Sequence, residues 1–231
     1  MQTLIREALS RIQHEFYLAA DSFIAPDMQR YMKDISPFLG IKTPERREIL
    51  KPIIRDLKGI DAGQLRQLID GLYELPEREF RYAACDILAK FEKLIPADWI
   101  DTHFKRWLIT DPWWDTVDSL GNGVISPLTV RHSELEPVMR AWLTSDNMWL
   151  QRAAIGHQRG RRKQTDVPLL LEYLETVADD RRFFIAKAVG WALRDLSAIN
   201  LRAAKRFVAE HPNLPAVARR EAVRGIERAS Q

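Results

Sequence analysis

The sequence predicts an all-α fold of stacked helix pairs, and three observations carry the prediction. Apolar residues recur at helical spacing along nearly the whole chain, as in Leu4, Ile5, Ala8, Leu9, Ile12 and Phe16, or Ile49, Ile53, Ile54 and Leu57, while strand-like alternation is nearly absent. Glycine is scarce, 10 of 231 residues, which disfavours the many tight turns of a sheet-rich fold. A weak internal repeat is also visible. WLQRAAIG at 149 lies on FIAKAVGW at 184, so that Ala153 matches Ala188 after 35 residues; Ala222 follows 34 later, and Ala83 lies 70 before Ala153.

Taken in order, helices are predicted over residues 3–19, 22–33, 43–58, 62–73, 77–92, 97–109, 113–120, 134–144, 147–159, 167–177, 181–195, 198–210 and 215–229. The first is an amphipathic segment whose Arg6, Glu7 and Arg11 exclude a secretory signal. The third opens on Thr43-Pro44, where proline suits a first turn whose N–H has no partner inside the helix. Asp61 with Gln64 and Ser133 with Glu136 have capping-box spacing and mark the starts near 62 and 134. Pro112 marks the start near 113, and Gly121 with Gly123 reads as a turn. Helix pairs of about 35 residues fit a divergent HEAT-like α-solenoid with a concave surface, formed as one domain over residues 1–231.

Composition narrows the function classes. No apolar run approaches the length of a membrane span, and a single cysteine, Cys85, excludes an internal disulfide and four-thiolate zinc sites, which predicts a reducing, cytoplasmic setting. The net charge of +3 hides an asymmetry: residues 1–150 carry 19 basic and 23 acidic side chains, residues 151–231 carry 16 and 9. A positive field over the last third attracts polyanions, and its plain alternative is a solvated helical face.

Few residues suggest catalysis. There is no phosphate-cradling glycine loop and no histidine pair at ligand spacing, so neither a metal nor a cofactor is expected. Cys85 sits among Ala83, Ala84, Ile87 and Leu88 and reads as a core thiol. The segment Asp111-Pro112-Trp113-Trp114-Asp115-Thr116-Val117-Asp118 differs: on a helix begun at Pro112, Trp114 and Asp118 share a face and present an indole with a carboxylate. Against this stands simple packing of Trp113 or Trp114, with Asp115 and Asp118 as solvated first-turn acids. Arg152 either snorkels or pairs with a fixed group, and Trp191 faces the core or the surface. The run GHQRGRRK brings Arg159, Arg161, Arg162 and Lys163, and Arg181, Arg182, Lys187 and Arg194 follow; each is a candidate phosphate contact or a solubilising charge.

Four segments in order, YMKDISPFLGIKTPERR at 31–47, REFRYAACDIL at 78–88, DPWWDTVD at 111–118 and RRFFIAKAVGWALRD at 181–195, resemble the DNA alkylation repair enzymes built from HEAT-like repeats, the AlkD-like alkylpurine DNA glycosylases. The likeness runs nearly end to end. It implies that Trp114, Asp118 and Trp191 line a catalytic cleft with Arg152, that Tyr31 faces DNA, and that Lys42 stands where a glutamine is also seen. The implied partner is duplex DNA containing alkylated bases, bound by a monomer without membrane or metal.

The chemistry such a site must perform follows from the lesion. A purine alkylated at N3 or N7 is cationic and leaves as a neutral base without protonation. What needs stabilising is the oxocarbenium character of the sugar, together with placement of water on its anomeric carbon. The expectation is that Asp118 does both, that Trp114 and Trp191 favour the cation through their π faces, and that Arg152 holds a backbone phosphate. The sequence leaves open whether the base is extruded, and which lesion is preferred. The competing class is a noncatalytic helical-repeat module that binds DNA or protein, for which an acid facing a polyanion has no use.

Overall fold

A computed structural model describes residues 2–231, with side chains from Thr3 onward, and contains helices and turns but no strand among those residues. The chain forms two compact units, one ending at Trp99 and the other running Ile100–Gln231.

In the first unit α1 (Gln2–Leu18) packs on α3 (Thr43–Asp56) and α4 (Ala62–Tyr73), and α5 (Arg78–Lys90) packs on both α3 and α4; a short α2 (Ala25–Tyr31) lies between α1 and α3 in sequence. Ile12, Phe16, Leu65, Leu68, Phe80 and Leu88 have no exposed surface, and Phe16 stacks on Phe80 at 5.3 Å. The Asp61–Gln64 capping box forms in both directions, and Pro44 sits in the first turn of α3. One buried carboxylate ties two of the sequence segments together. Glu79 accepts hydrogen bonds from the backbone N–H groups of Leu39, Gly40 and Ile41 at 3.0, 2.9 and 3.2 Å. Burial pushes its carboxyl up, and the three amides pull the other way by favouring the anion. Gly40 has φ +89°, and a Cβ there would stand 2.3 Å from the carbonyl oxygen of Asp21, so the turn admits only glycine. Arg46 and Arg47 both reach Asp86 at 3.2 Å.

The second unit begins with a π-helical turn over Ile100–Phe104 and continues through α6 (Lys105–Ile109), α7 (Trp114–Leu120), a second π turn over Gly121–Ile125, α8 (Ser126–Arg131), α9 (Glu136–Leu143), α10 (Met148–Gly156), α11 (Val167–Val177), α12 (Phe183–Ser197), α13 (Leu201–Glu210) and α14 (Ala216–Ala229). Within it α9 pairs with α10, α11 with α12 and α13 with α14, while α10, α12 and α14 pack on one another in succession. Ala153, Ala188 and Ala222, the repeat positions, lie one on each of these inner helices and are all buried. α12 and α14 approach closely: a Cβ on Gly190 would lie 2.9 Å from Ala218 Cα, and one on Gly225 2.7 Å from Arg194 Cα.

Two expectations fail locally. The backbone stays helical through Gly121 and Gly123, because Val124, Ile125 and Leu128 are fully buried and their burial outweighs the poor helix propensity of glycine. Ser133 caps nothing: residues 133–135 form a 3-10 turn, and α9 starts at Glu136 without a side-chain cap. No described helix is long and apolar enough to cross a membrane.

Candidate active site

The site is built on α7, α10 and α12. Before α7 the chain turns sharply, with Asp111 at φ 42° and Trp113 extended, so that successive indoles part company. Trp113 packs against Trp149 and Phe184, with ring centroids 5.7 and 5.0 Å away, and these two rings lie 4.9 Å from each other. This aromatic cluster anchors the first turn of α7 to α10 and α12. Trp114 and Asp118, one turn apart, remain partly exposed on a common face.

Asp118 is held by Arg152. The guanidinium donates from Nε to Oδ1 at 2.9 Å and from Nη2 to Oδ2 at 2.7 Å, while Nη1 donates to the carbonyl of Phe184 at 2.6 Å. The side chain of Arg152 is 3% exposed and that of Asp118 18%, so the end of the pair that meets solvent is the carboxylate. This corrects the expectation for Arg152. With its three donor nitrogens engaged inside the protein, it does not project toward a phosphate; it orients Asp118 through a two-point fork.

Trp191 also differs from expectation. Its ring centre lies 4.5 Å from the guanidinium carbon of Arg159, 5.0 Å from that of Arg152, 5.7 Å from Lys187 Nζ and 5.8 Å from the guanidinium carbon of Arg194. The indole's attraction for cations is thus taken up by the chain itself. Carboxylates balance the cage: Asp195 lies 3.8 Å from Arg159 and 4.0 Å from Arg194, and the buried Glu221 accepts from Lys187 at 2.6 Å and Arg194 at 3.0 Å. Burial pushes the Arg159 guanidinium down and the Asp195 carboxyl up. Among the described residues Trp114, unlike Trp191, is partly exposed without a ring or cation contact.

The remaining basic candidates separate by exposure. Arg161 donates from Nη2 to Thr129 Oγ1 at 2.5 Å and to the Ser126 carbonyl at 3.3 Å, bracing the segment after α10 against α8, so it is not a free phosphate contact. Arg162 and Lys163 are exposed. Arg182 pairs with Asp180 and donates to Gln151 at 2.6 Å, leaving its side chain 44% exposed. Tyr31, at the end of α2, and Lys42, just before α3, are exposed in the first unit. Sequence reasoning missed Glu221, Asp195 and the Trp149–Phe184 support. A signal for Glu221 existed: Asp118, Arg152, Lys187 and Glu221 follow one another at the helix-pair spacing, and both Asp118–Arg152 and Lys187–Glu221 pair across 34 residues. No group of three His, Cys, Asp or Glu among the described residues is placed to hold a metal ion.

A comparison with curated proteins finds no match. A solved structure described as a predicted DNA alkylation repair enzyme from Enterococcus faecalis is similar with a TM-score of 0.82 at 27% identity, over 88% of this chain and 94% of that one. The family model for DNA alkylation repair enzymes matches residues 12–226, and with that span, nearly the whole sequence, the chain belongs to the DNA alkylation repair enzyme family.

Proposed function

We propose that the chain is a DNA glycosylase that hydrolyses the N-glycosidic bond of cationic N3- or N7-alkylated purines in duplex DNA. The observation that supports this best is the Asp118–Arg152 pair, buried at its cationic end and open at its anionic end. A carboxylate has about four acceptor sites, and Asp118 uses two on Arg152. The other two take no hydrogen bond from a described residue, and with Trp114 one turn away on the same helix face a water molecule and a developing positive charge can be served together.

The reaction balances without a general acid. As the bond between the anomeric carbon and the base nitrogen breaks, its electron pair neutralises the base. The water oxygen bonds to the anomeric carbon and gives a proton to Asp118. Asp118 stabilises the oxocarbenium character electrostatically, and preorganised groups of this kind contribute roughly 10²- to 10³-fold each. Trp114 adds about 0.5–2 kcal/mol through its π face. Trp191 acts through the cations it gathers, and the exposed Arg162, Lys163 and Arg182 are the phosphate contacts in place of Arg152. Tyr31 and Lys42 are further DNA contacts from the first unit.

The test is release of free 7-methylguanine from a methylated duplex by wild type and Asp118→Asn at equal folded concentration. Release by wild type alone supports the assignment. Equal release by the folded variant removes Asp118 from the mechanism, and no release by either, with lesion-independent DNA binding, favours the noncatalytic module.

A further inference from the structure

Away from these residues, the first unit carries a groove of about 1040 Å³ between α3, the turn after it, and the end of α5 with the segment that follows. Its floor is apolar: Leu50, Pro52, Ile54, Ile60, Phe91 and Leu94. Leu94 is exposed, and Ile54, Pro52 and Phe91 are half-buried, which brings several apolar side chains together at the surface. Pro52 lies within α3 and has no N–H, so the carbonyl of Glu48 at the groove wall lacks its usual partner four residues on. Around the floor stand five basic side chains against two carboxylates, with Arg47 paired to Asp86 and Arg55 to the adjacent Asp56. Lys58 and Lys90 make no ion pair among the described residues, and the Lys51–Glu48 pair is fully solvated at 75% exposure for both partners.

We propose that this groove docks an acidic amphipathic helix of a partner protein, apolar face on the floor and carboxylates against the basic rim. The shape and charge select that occupant. A second copy of the chain would bring one positive rim against another. A nucleic acid would meet aliphatic side chains and a single aromatic ring where stacking platforms are needed. A bilayer is too flat to fill a concavity. A helix presenting apolar residues at i, i+3, i+4 and i+7 offers an apolar stripe to the apolar floor, and flanking Glu or Asp complements the rim. The groove shares no residue with the Asp118 site, so the proposal is independent of the reaction assigned there.

The experiment uses the full chain and a fluorescein-labelled peptide of about 16 residues with Leu at i, i+3, i+4 and i+7 and Glu elsewhere. Fluorescence anisotropy should show saturable binding that weakens at least tenfold in Lys58→Glu/Lys90→Glu and, separately, in Ile54→Ser. A peptide with Lys in place of Glu should bind at least tenfold more weakly. Because the lysine pair is exposed, its variant keeps the fold even if Ile54→Ser loosens it. The proposal is overturned by absence of binding, by equal affinity for the charge-inverted peptide, or by insensitivity to the lysine variant. It is equally overturned if lesion-free duplex DNA, or vesicles of phosphatidylcholine and phosphatidylglycerol, compete the peptide off.

Discussion

The two units each contain a carboxylate on which the local structure depends, and they treat it in opposite ways. In the first unit Glu79 is fully enclosed, and three backbone amides of one turn occupy its acceptors. In the second, Asp118 is gripped by a single buried arginine from another helix and keeps part of its surface in solvent. Both arrangements fix an anion in place. Only the second leaves lone pairs free to act on anything beyond the protein. An enclosed, saturated carboxylate serves folding, and a partly open one whose orientation is paid for by a buried counterion serves chemistry.

The variant expected to disturb this contrast most is Arg152→Ala. Removing one member of a buried pair costs about 3–5 kcal/mol. It should lower the melting temperature markedly and also reduce base release per folded molecule, because Asp118 loses its orientation. Equal weakening of binding to lesion and lesion-free duplex, with release per bound complex unchanged, would restore the phosphate role to Arg152.

Next in size, Asp118→Asn and Glu79→Gln should dissociate function from stability. Asp118→Asn is expected to cut base release about 10²- to 10³-fold. Glu79→Gln replaces an acceptor oxygen by a donor facing backbone N–H groups and should cost about 2–3 kcal/mol of stability, measured by urea unfolding, with release per folded molecule near wild type. If Glu79→Gln abolished release while remaining folded, the division of labour between the two carboxylates would fail. A smaller effect is expected at the α12–α14 contact, where Gly190→Ala forces a Cβ against the Ala218 backbone and should cost about 1–3 kcal/mol.

Much of this was legible in the sequence, and the gaps have physical causes. Helical periodicity, the Asp61–Gln64 box and the Trp114–Asp118 spacing are local features that depend on the chain's own register, and they appear in the structure as read. The 35-residue alanine spacing is legible because each of these small residues is buried on a successive inner helix. The charged positions at the same spacing were not read as a set, since a sequence shows that Asp118 and Arg152 are one repeat apart but not that their side chains point at each other. The surroundings of Trp191 were missed for a related reason: the cations around it come from α10, the turn after it and α12, with a counterion from α14, and no window of sequence contains all of them. The helical passage through Gly121 and Gly123 was hidden because burial of later residues decided it, against local propensity.

The smallest expected effect concerns neighbours in the basic run after α10, where the distinction between enclosed and open charge recurs with the opposite sign. Arg161 is tied to Thr129 and Ser126, and Arg162 beside it is exposed. Arg161→Gln should lose hydrogen bonds worth about 1 kcal/mol and lower stability, with the salt dependence of DNA binding unchanged. Arg162→Gln should leave stability alone and make the slope of log K against log salt shallower by about 0.9, the release expected for one phosphate contact. Measuring both slopes on the same duplex turns two adjacent arginines into internal controls for one another. If their slopes changed equally, exposure would not be what separates a bracing cation from a DNA-binding one, and the reading of Asp118 by its open edge would lose the same support.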